Sequence, residues 1–319
     1  MSTRVLVVTG ASGFVGSAVC RLAVEEGHEV RGITRSAARP LAEGVVRHVV
    51  PGLGPNEELA TAMDGAHAVI HLAARVHVMR ETAADPDAAF REVNVDGTLA
   101  LTYAAQAAGV RRMVYASSIK VNGEGTRPGQ PYRESDAPAP QDAYGRSKLL
   151  AEQALAASTK DGPEVVVVRP PLVYGPGVGG NILRLMQLIQ RGVPLPLGGI
   201  RNQRSLIGVR NLARLLLLAA THPRAAGETF LAADGQDLST PELVRQLAQG
   251  LWRPARLITV PAPVFSMLAA LPPARGVVAR LTGSLQVDAS KARRLLGWRP
   301  DVPVAEGLQE TARAFKAAS

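Results

Sequence analysis

Short apolar runs alternate with segments of helical periodicity along the first half of the chain. The runs with strand character are Val5–Val8, Glu29–Thr34, Val45–Val50, Ala68–Leu72, Arg112–Ser117 and Glu164–Arg169. Helical patterns lie between them, most clearly over 56–63, 87–108 and 143–158. Strands that alternate with helices are joined by right-handed crossovers, so the pattern predicts an α/β fold with a doubly wound parallel sheet.

Three glycines follow the first predicted strand, and a helical pattern follows the glycines. Gly10 permits a tight turn, Gly13 lets backbone N–H groups approach a pyrophosphate, and Gly16 lets the helix pack against the strand. The start of the helix offers unpaired N–H groups to phosphate oxygens, which predicts a dinucleotide site; a glycine turn without a ligand is the alternative. The predicted coenzyme contacts here are Gly10, Ser12, Gly13, Phe14, Val15 and Gly16.

The end of the second predicted strand bears on which dinucleotide binds. An enzyme that selects NAD carries an acidic residue here for the ribose 2′-hydroxyl, whereas this chain has Thr34 and Arg35. Because a guanidinium can bind a 2′-phosphate with two hydrogen bonds, we expect NADP(H) in preference to NAD(H). A solvated Arg35, or one stacked on the adenine, is the alternative.

The fourth predicted strand ends in HLAA, which should lie beside the coenzyme. The small side chains of Ala73 and Ala74 are predicted to leave room for the nicotinamide ribose, and Leu72 is a further predicted coenzyme contact. We expect His71 to be a core residue and His77 to face the substrate. The histidines are dispersed and no metal-ligand spacing occurs, so we expect no metal site.

Two serines end the fifth predicted strand, and a tyrosine and a lysine follow on a predicted helix. Tyr144 and Lys148 are four residues apart, so they share one helix face. A nearby ammonium stabilises tyrosinate, so we expect a lowered pKa that lets the phenol exchange a proton with a carbonyl or carbinol oxygen. Ser118 would bind the same oxygen. The irregular loop Gly123–Gln141 between them has the length of a functional lid.

The motifs TGASGFVG, HLAA, YASSIKVNG, YGRSK and RPPLVYGPG together resemble those of the extended short-chain dehydrogenase/reductase family, in its nucleotide-sugar epimerase, dehydratase and reductase branch. The resemblance implies a Rossmann-type domain over 1–170, with 204–222 returning to it, and a smaller C-terminal substrate domain over 171–203 and 223–319. It also implies that the lysine binds the nicotinamide ribose. The catalytic residues that it implies are Asn94, Ser118, Tyr144 and Lys148.

The same resemblance implies where a UDP-linked sugar would bind. Asn181 begins a helical segment that would face the diphosphate, and Arg204 matches an arginine that contacts a nucleotide phosphate. Asp288 lies in a segment similar to the family's terminal nucleotide-binding segment. Asn122 stands where epimerases commonly have tyrosine, which alters the pocket wall. The arginine that often precedes the aspartate is absent, and Arg280 is a candidate replacement. Ser118 and Tyr144 complete the predicted substrate contacts.

Three functions fit this pattern, two of them enzymatic. The stretches RVHVMRE, SSIKVNGE and RSLIGV resemble those of enzymes that reduce a UDP-4-keto-6-deoxy-N-acetylhexosamine, which implies the same reaction here. The absence of an acidic residue at Thr34 and the presence of Arg35 favour exchange of NADPH at each turnover, as a reductase requires. A UDP-hexose 4-epimerase with tightly held NAD⁺ is the alternative. A non-catalytic dinucleotide sensor is more remote, since the Tyr144–Lys148 pair is kept.

Composition and charge limit the classes of partner that this chain is expected to bind. The chain has 319 residues and a net charge of +9, with scattered basic residues and only 4% aromatic residues, so we expect no nucleic acid. No uninterrupted apolar stretch is long enough to span a membrane, and no signal pattern opens the chain, so we expect a cytoplasmic enzyme without a membrane partner. The family resemblance implies a homodimer formed through the helices that follow the fourth and fifth strands, here 87–108 and 143–158, whose small residues allow close packing.

Overall fold

The structure is a computed structural model, and it describes residues 3–54, 56–76, 85–158, 162–261 and 272–318. His77, for which a substrate contact is predicted, lies outside these residues. Among the described residues, no helix is long and apolar enough to cross a membrane.

A seven-stranded parallel sheet forms the centre of the fold, as the alternating pattern predicts. Its order is β3-β2-β1-β4-β5-β6-β9, and β7 pairs with β8 in a separate small sheet. The strands are β1 (Val5–Thr9), β2 (Glu29–Thr34), β3 (Val45–Val49), β4 (Ala68–His71), β5 (Arg112–Ala116), β6 (Glu164–Arg169), β7 (Leu172–Tyr174), β8 (Leu206–Gly208) and β9 (Thr229–Leu231). The order reverses between β1 and β4, the place where open α/β sheets bind ligands.

Eleven α-helices occur in the described part of the chain. They are α1 (Phe14–Glu25), α2 (Glu57–Met63), α3 (Pro86–Arg91), α4 (Gly97–Ala107), α5 (Ala143–Ser158), α6 (Gly180–Gln190), α7 (Val209–Thr221), α8 (Thr240–Gly250), α9 (Pro272–Thr282), α10 (Ser290–Leu296) and α11 (Val304–Ala317). The single helix predicted over 87–108 is interrupted by a π-helical segment, Glu92–Asp96, between α3 and α4.

Buried side chains on alternate sheet positions form two apolar cores. Leu6 and Val8 of β1 pack with α1 and the apolar helix α7, whereas Val7 between them faces the core that α2, α4 and α5 cover. This alternation follows from the two-residue repeat of a strand. A third core lies among α6, α8 and α11, around residues such as Met186 and Leu247. This third core is separate from the two that cover the sheet, and Phe14 at the start of α1 packs against it.

Candidate active site

The glycine turn after β1 has the conformation that a pyrophosphate site needs. Gly10 has φ +67°, and a Cβ at Gly16 would lie 2.1 Å from the Gly10 carbonyl oxygen, so neither position accepts a side chain. Helix α1 begins with Gly13 as its N-cap, and no side chain caps it. Its first N–H groups therefore remain available for phosphate oxygens.

Thr9, which ends β1, fixes the neighbouring end of β4. Its hydroxyl oxygen accepts hydrogen bonds from the N–H groups of Leu72 and Ala73, both at 3.1 Å. It also lies 2.7 Å from Nδ1 of the buried His71. Burial, with the charge of Lys148, lowers the pKa of His71 to about 3, so the ring is neutral and belongs to the core, as predicted.

At the end of β2, Thr34 is buried and Arg35 is exposed. A third residue, Arg47 of β3, contributes here and is missed by the sequence analysis. Its guanidinium lies 3.5 Å from the Thr34 hydroxyl and donates to the carbonyl oxygen of Arg39 at 2.8 Å. Arg47 therefore holds the 34–39 loop in place, and only the pairing of β2 with β3 reveals it.

Two hydrogen bonds join residues 116 and 117, at the end of β5, to α5. The Lys148 ammonium donates to the carbonyl oxygen of Ala116 at 2.8 Å, and the Ser118 hydroxyl lies close enough to the Tyr144 phenol to act on its pKa. One turn further along α5, the Ser117 hydroxyl donates to the carboxylate of Glu152. The Lys148 Nζ lies 5.9 Å from the centre of the Tyr144 ring. The structure therefore brings Ser118, Tyr144 and Lys148 together.

The expected lowering of the Tyr144 pKa is not found in the chain alone. Burial raises the pKa of the phenol to about 12, and this effect outweighs the hydrogen bond from Ser118, which lowers it. Burial also lowers the pKa of Lys148 to about 7, against the opposing charge of Glu152. The ammonium thus loses part of its charge in the same apolar surroundings, and desolvation decides both shifts.

Behind this site lies a buried ion pair that the sequence analysis does not identify. Arg169 of β6 donates to both carboxylate oxygens of Glu152, at 2.9 and 2.5 Å, and to Oδ1 of Asn122 at 3.0 Å. The Asn122 side-chain amide in turn donates to the carbonyl oxygen of Arg133. Asn122 is therefore buried and occupied at both ends, and it does not form a pocket wall as expected. The four-residue spacing from Lys148 to Glu152 is the one sequence signal of this network.

Asn94 positions other residues of the site through hydrogen bonds. It lies in the π-helical segment, fully buried, where its amide donates to the Ser147 hydroxyl at 2.9 Å. The same side chain accepts from the N–H of Arg75 at 2.8 Å and donates to the Arg75 carbonyl oxygen. Asn94 therefore ties the segment after β4 to α5, next to the Tyr144 carbonyl that accepts from Ser147. Its bonds hold the site together without reaching its open face.

The predicted substrate residues lie on separate elements. Asn181 is exposed in the first turn of α6, whose start no side chain caps. Arg204 donates to the carbonyl oxygens of Arg280 and Gly283 at 3.1 and 3.0 Å, so this guanidinium already holds the end of α9. Arg280 contributes its backbone to that contact.

Asp288 accepts from the N–H of Ser290 at 2.9 Å and lies 3.7 Å from Nε of Arg133. Its backbone N–H donates to Tyr132. It therefore anchors the 123–141 loop. Among the described residues, no group of three or more His, Cys, Asp or Glu residues could hold a metal ion.

A parallel sheet with a glycine turn at its switch point and a Ser/Tyr/Lys array at a neighbouring strand end defines a dinucleotide-dependent dehydrogenase class. Residues 6–233 match the NAD dependent epimerase/dehydratase family, and the chain belongs to this family of enzymes.

Individual relatives agree with this assignment. UDP-glucose 4-epimerase of Vibrio cholerae is 41% identical over 313 residues, which is 97% of this chain and 95% of that protein. The solved structure of MoeE5 in complex with UDP-glucuronic acid and NAD is 27% identical, with a TM-score of 0.77 over 98% of this chain and 99% of that one. UDP-N-acetylglucosamine 4-epimerase from Bacillus cereus shares the fold, with 23% identity and a TM-score of 0.78 over 98% of this chain and 100% of that one.

Proposed function

We propose that this enzyme transfers a hydride between a nicotinamide dinucleotide and C4 of a UDP-linked sugar. The observation that carries the proposal is the convergence of Ser118, Tyr144 and Lys148 at the end of β5. The residues predicted to bind the coenzyme fit the pyrophosphate of a dinucleotide, because the glycine turn accepts no side chain and the start of α1 is uncapped. The 41% identical UDP-glucose 4-epimerase supports a UDP-sugar as the substrate.

Each residue has a defined part in this chemistry. The Tyr144 oxygen exchanges a proton with the C4 oxygen, and the Ser118 hydroxyl orients that oxygen by a hydrogen bond. Lys148 is held by the Ala116 carbonyl, and its ammonium opposes the burial that keeps the phenol protonated. The dinucleotide, when bound, supplies the hydride carrier and, in its oxidised form, a positive charge that favours tyrosinate.

Epimerisation is the outcome that the relatives support. The enzyme would oxidise C4, allow the keto sugar to rotate within the site, and return the hydride to the opposite face of C4. The coenzyme and the sugar then undergo no net redox change. UDP-glucose and UDP-N-acetylglucosamine are the first substrates to test, because the relative from Vibrio cholerae and the fold neighbour from Bacillus cereus act on them by name.

Net reduction of a UDP-4-keto-6-deoxy-N-acetylhexosamine with NADPH is the second candidate, and one observation favours it. The end of β2 carries Thr34, Arg35 and the guanidinium of Arg47, and none of residues 34–39 is acidic. This charge suits a 2′-phosphate better than a free 2′-hydroxyl.

The homodimer and the cytoplasmic location stay predictions.

Denaturing the purified protein and identifying any released dinucleotide separates the two outcomes. Stoichiometric NAD⁺, with interconversion of UDP-glucose and UDP-galactose without added coenzyme, supports the epimerase. A protein that is isolated empty, binds NADPH and consumes it with a 4-keto sugar nucleotide supports the reductase. Inactivity with both substrates, together with full function of Tyr144→Phe in the cell, would leave only the dinucleotide sensor.

A further inference from the structure

The positive charge of the chain is confined to one part of it. Residues 165–287 contain thirteen arginines, no lysine and four acidic residues. Their net charge is therefore +9, which is the net charge of the whole chain. The remaining residues are balanced. No aspartate or glutamate occurs over 165–227 or over 243–287. Four of these arginines, Arg169, Arg210, Arg214 and Arg224, belong to β6, α7 and the turn after α7, beside the sheet. The other nine lie in α6, α8, α9 and the segments next to these helices, so this layer carries an excess of positive charge.

Part of this region forms an exposed surface, which we call the distal face. It consists of the end of α6 with residues 191–198, and the end of α8 with residues 252–258. The two parts are joined, because Leu195 donates to the carbonyl oxygen of Arg256 and Ile258 donates to that of Leu195, both at 2.8 Å. Its exposed apolar residues are Leu188, Val193, Trp252 and Ile258, and its exposed arginines are Arg191, Arg253 and Arg256.

Trp252 is the most exposed large apolar residue in the described part of the chain, at 75%. It follows the end of α8 with φ +58°, and it is the one non-glycine residue with positive φ among the described residues. Its N–H donates to Gln249 and that of Arg253 to Ala248, the pattern of a helix end that usually takes glycine. The chain thus keeps an indole in solvent at a position whose backbone favours a residue without a side chain.

The distal face is separated from the proposed UDP-sugar site. Asn181 stands at the start of α6, and the eleven residues of this helix extend about 16 Å before Arg191 is reached. The arginines of the distal face are therefore not needed to bind the diphosphate. Helix α11 lies near the end of α8, since Gly250 packs against Ala312, and its exposed charged residues there are Glu310, Arg313 and Lys316.

We propose that the distal face binds the surface of an anionic phospholipid bilayer. Trp252 and Ile258 would enter the headgroup region, where an amphipathic indole is stable, and the arginines would contact lipid phosphates. The absence of acidic residues on this face makes its charge complementary to such a surface. The expectation of no membrane partner was based on the lack of a membrane span, and surface binding needs no span. This proposal does not depend on the proposed function.

Sedimentation of the full chain with vesicles tests it. Vesicles of phosphatidylcholine with one-third phosphatidylglycerol should bind the protein at about 0.1 M salt, and pure phosphatidylcholine vesicles should not. Replacing Arg191 and Arg253 by glutamine should weaken binding by about tenfold or more, since each arginine near an anionic surface is worth about fivefold. The matched control is Arg91→Gln with Arg111→Gln, which removes the same charge from the sheet side.

A second set of variants tests the apolar contacts between the distal face and the vesicles. Ile258→Ser should weaken binding, whereas Val46→Ser should not, although both side chains are 51% exposed. Trp252→Gly should abolish most of the binding while the melting temperature stays equal or rises, because glycine relieves the backbone. A structural role for Trp252 would instead lower the melting temperature.

Four results would overturn the proposal. The first is no sedimentation with anionic vesicles at low salt, and the second is equal loss of binding in the control double variant. The third is binding to a soluble polyanion such as heparin without binding to vesicles. The fourth is a lower molecular mass in solution for the distal-face variants, which would show that this face joins two chains.

Discussion

The Lys148 ammonium donates at 2.8 Å to the carbonyl oxygen of Ala116, the last residue of β5, which Ser117 and Ser118 follow. A backbone carbonyl cannot move without its strand, so this bond fixes the cation relative to the whole sheet. Tyr144, one turn earlier on the same helix face, is thereby fixed as well. The proton-transfer groups are positioned by β5 and not by the loops around them.

Replacing Tyr144 by phenylalanine removes the proposed proton donor and little volume. We expect activity to fall by about 10²–10⁴-fold, while coenzyme binding, followed by fluorescence titration, is preserved. The exposed Tyr103 provides the control, since Tyr103→Phe should retain full activity. Equal activity of the two variants would exclude Tyr144 as the acid.

Lys148 makes stability depend on pH in a defined direction. Because its pKa is about 7 in the folded chain and 10.5 as its ordinary value, the unfolded chain binds more protons between these values. Stability of the wild type should therefore rise with pH over this range, relative to Lys148→Met. Urea unfolding at several pH values measures this, with exposed Lys316→Met as the control. Parallel profiles for wild type and Lys148→Met would contradict the lowered pKa of the buried amine.

Glu152 and Arg169 form a buried pair, whereas Glu29 and Arg31 form an exposed one. Glu152→Gln leaves a buried guanidinium without its counter-charge, so we expect a loss of about 3–5 kcal/mol in the free energy of unfolding. Glu29→Gln should cost under about 1 kcal/mol. Similar losses in denaturant titrations of both variants would show that the buried pair has no special weight.

Substitution of Arg35 tests whether the enzyme prefers NADP(H) to NAD(H). Arg35→Asp places a carboxylate where a 2′-phosphate would lie, so the ratio of NADPH to NADH affinity should fall by at least about tenfold. Arg127→Asp, which changes another exposed arginine, controls for net charge. An unchanged ratio in Arg35→Asp would remove the argument for NADP(H).

The sequence predicts the sheet because its strands are long, apolar and separated by clear helical patterns. Strand β9 is missed, since three residues, Thr229–Leu231, give no periodic signal and form a strand only by pairing with β6. Tyr144 and Lys148 are predictable because four-residue spacing alone makes helix neighbours. Asn122 and Arg47 are not, because their roles depend on side chains that come from other strands.

The pKa of Tyr144 shows a second limit of sequence reasoning. Spacing reveals that a cation is near, but the loss of water around both groups emerges only from the packed structure, and here it has the larger effect.

The two hydrogen bonds that Lys148 and Glu152 of α5 make with Ala116 and Ser117 also bear on how this enzyme can change over evolution. Sliding the helix by one turn would break both of them together, so new sugars cannot be accommodated by shifting the catalytic helix. Diversification must come from the segments around it, above all 123–141 and the stretch after β7. The reacting groups can then stay constant while the range of acceptable sugars widens.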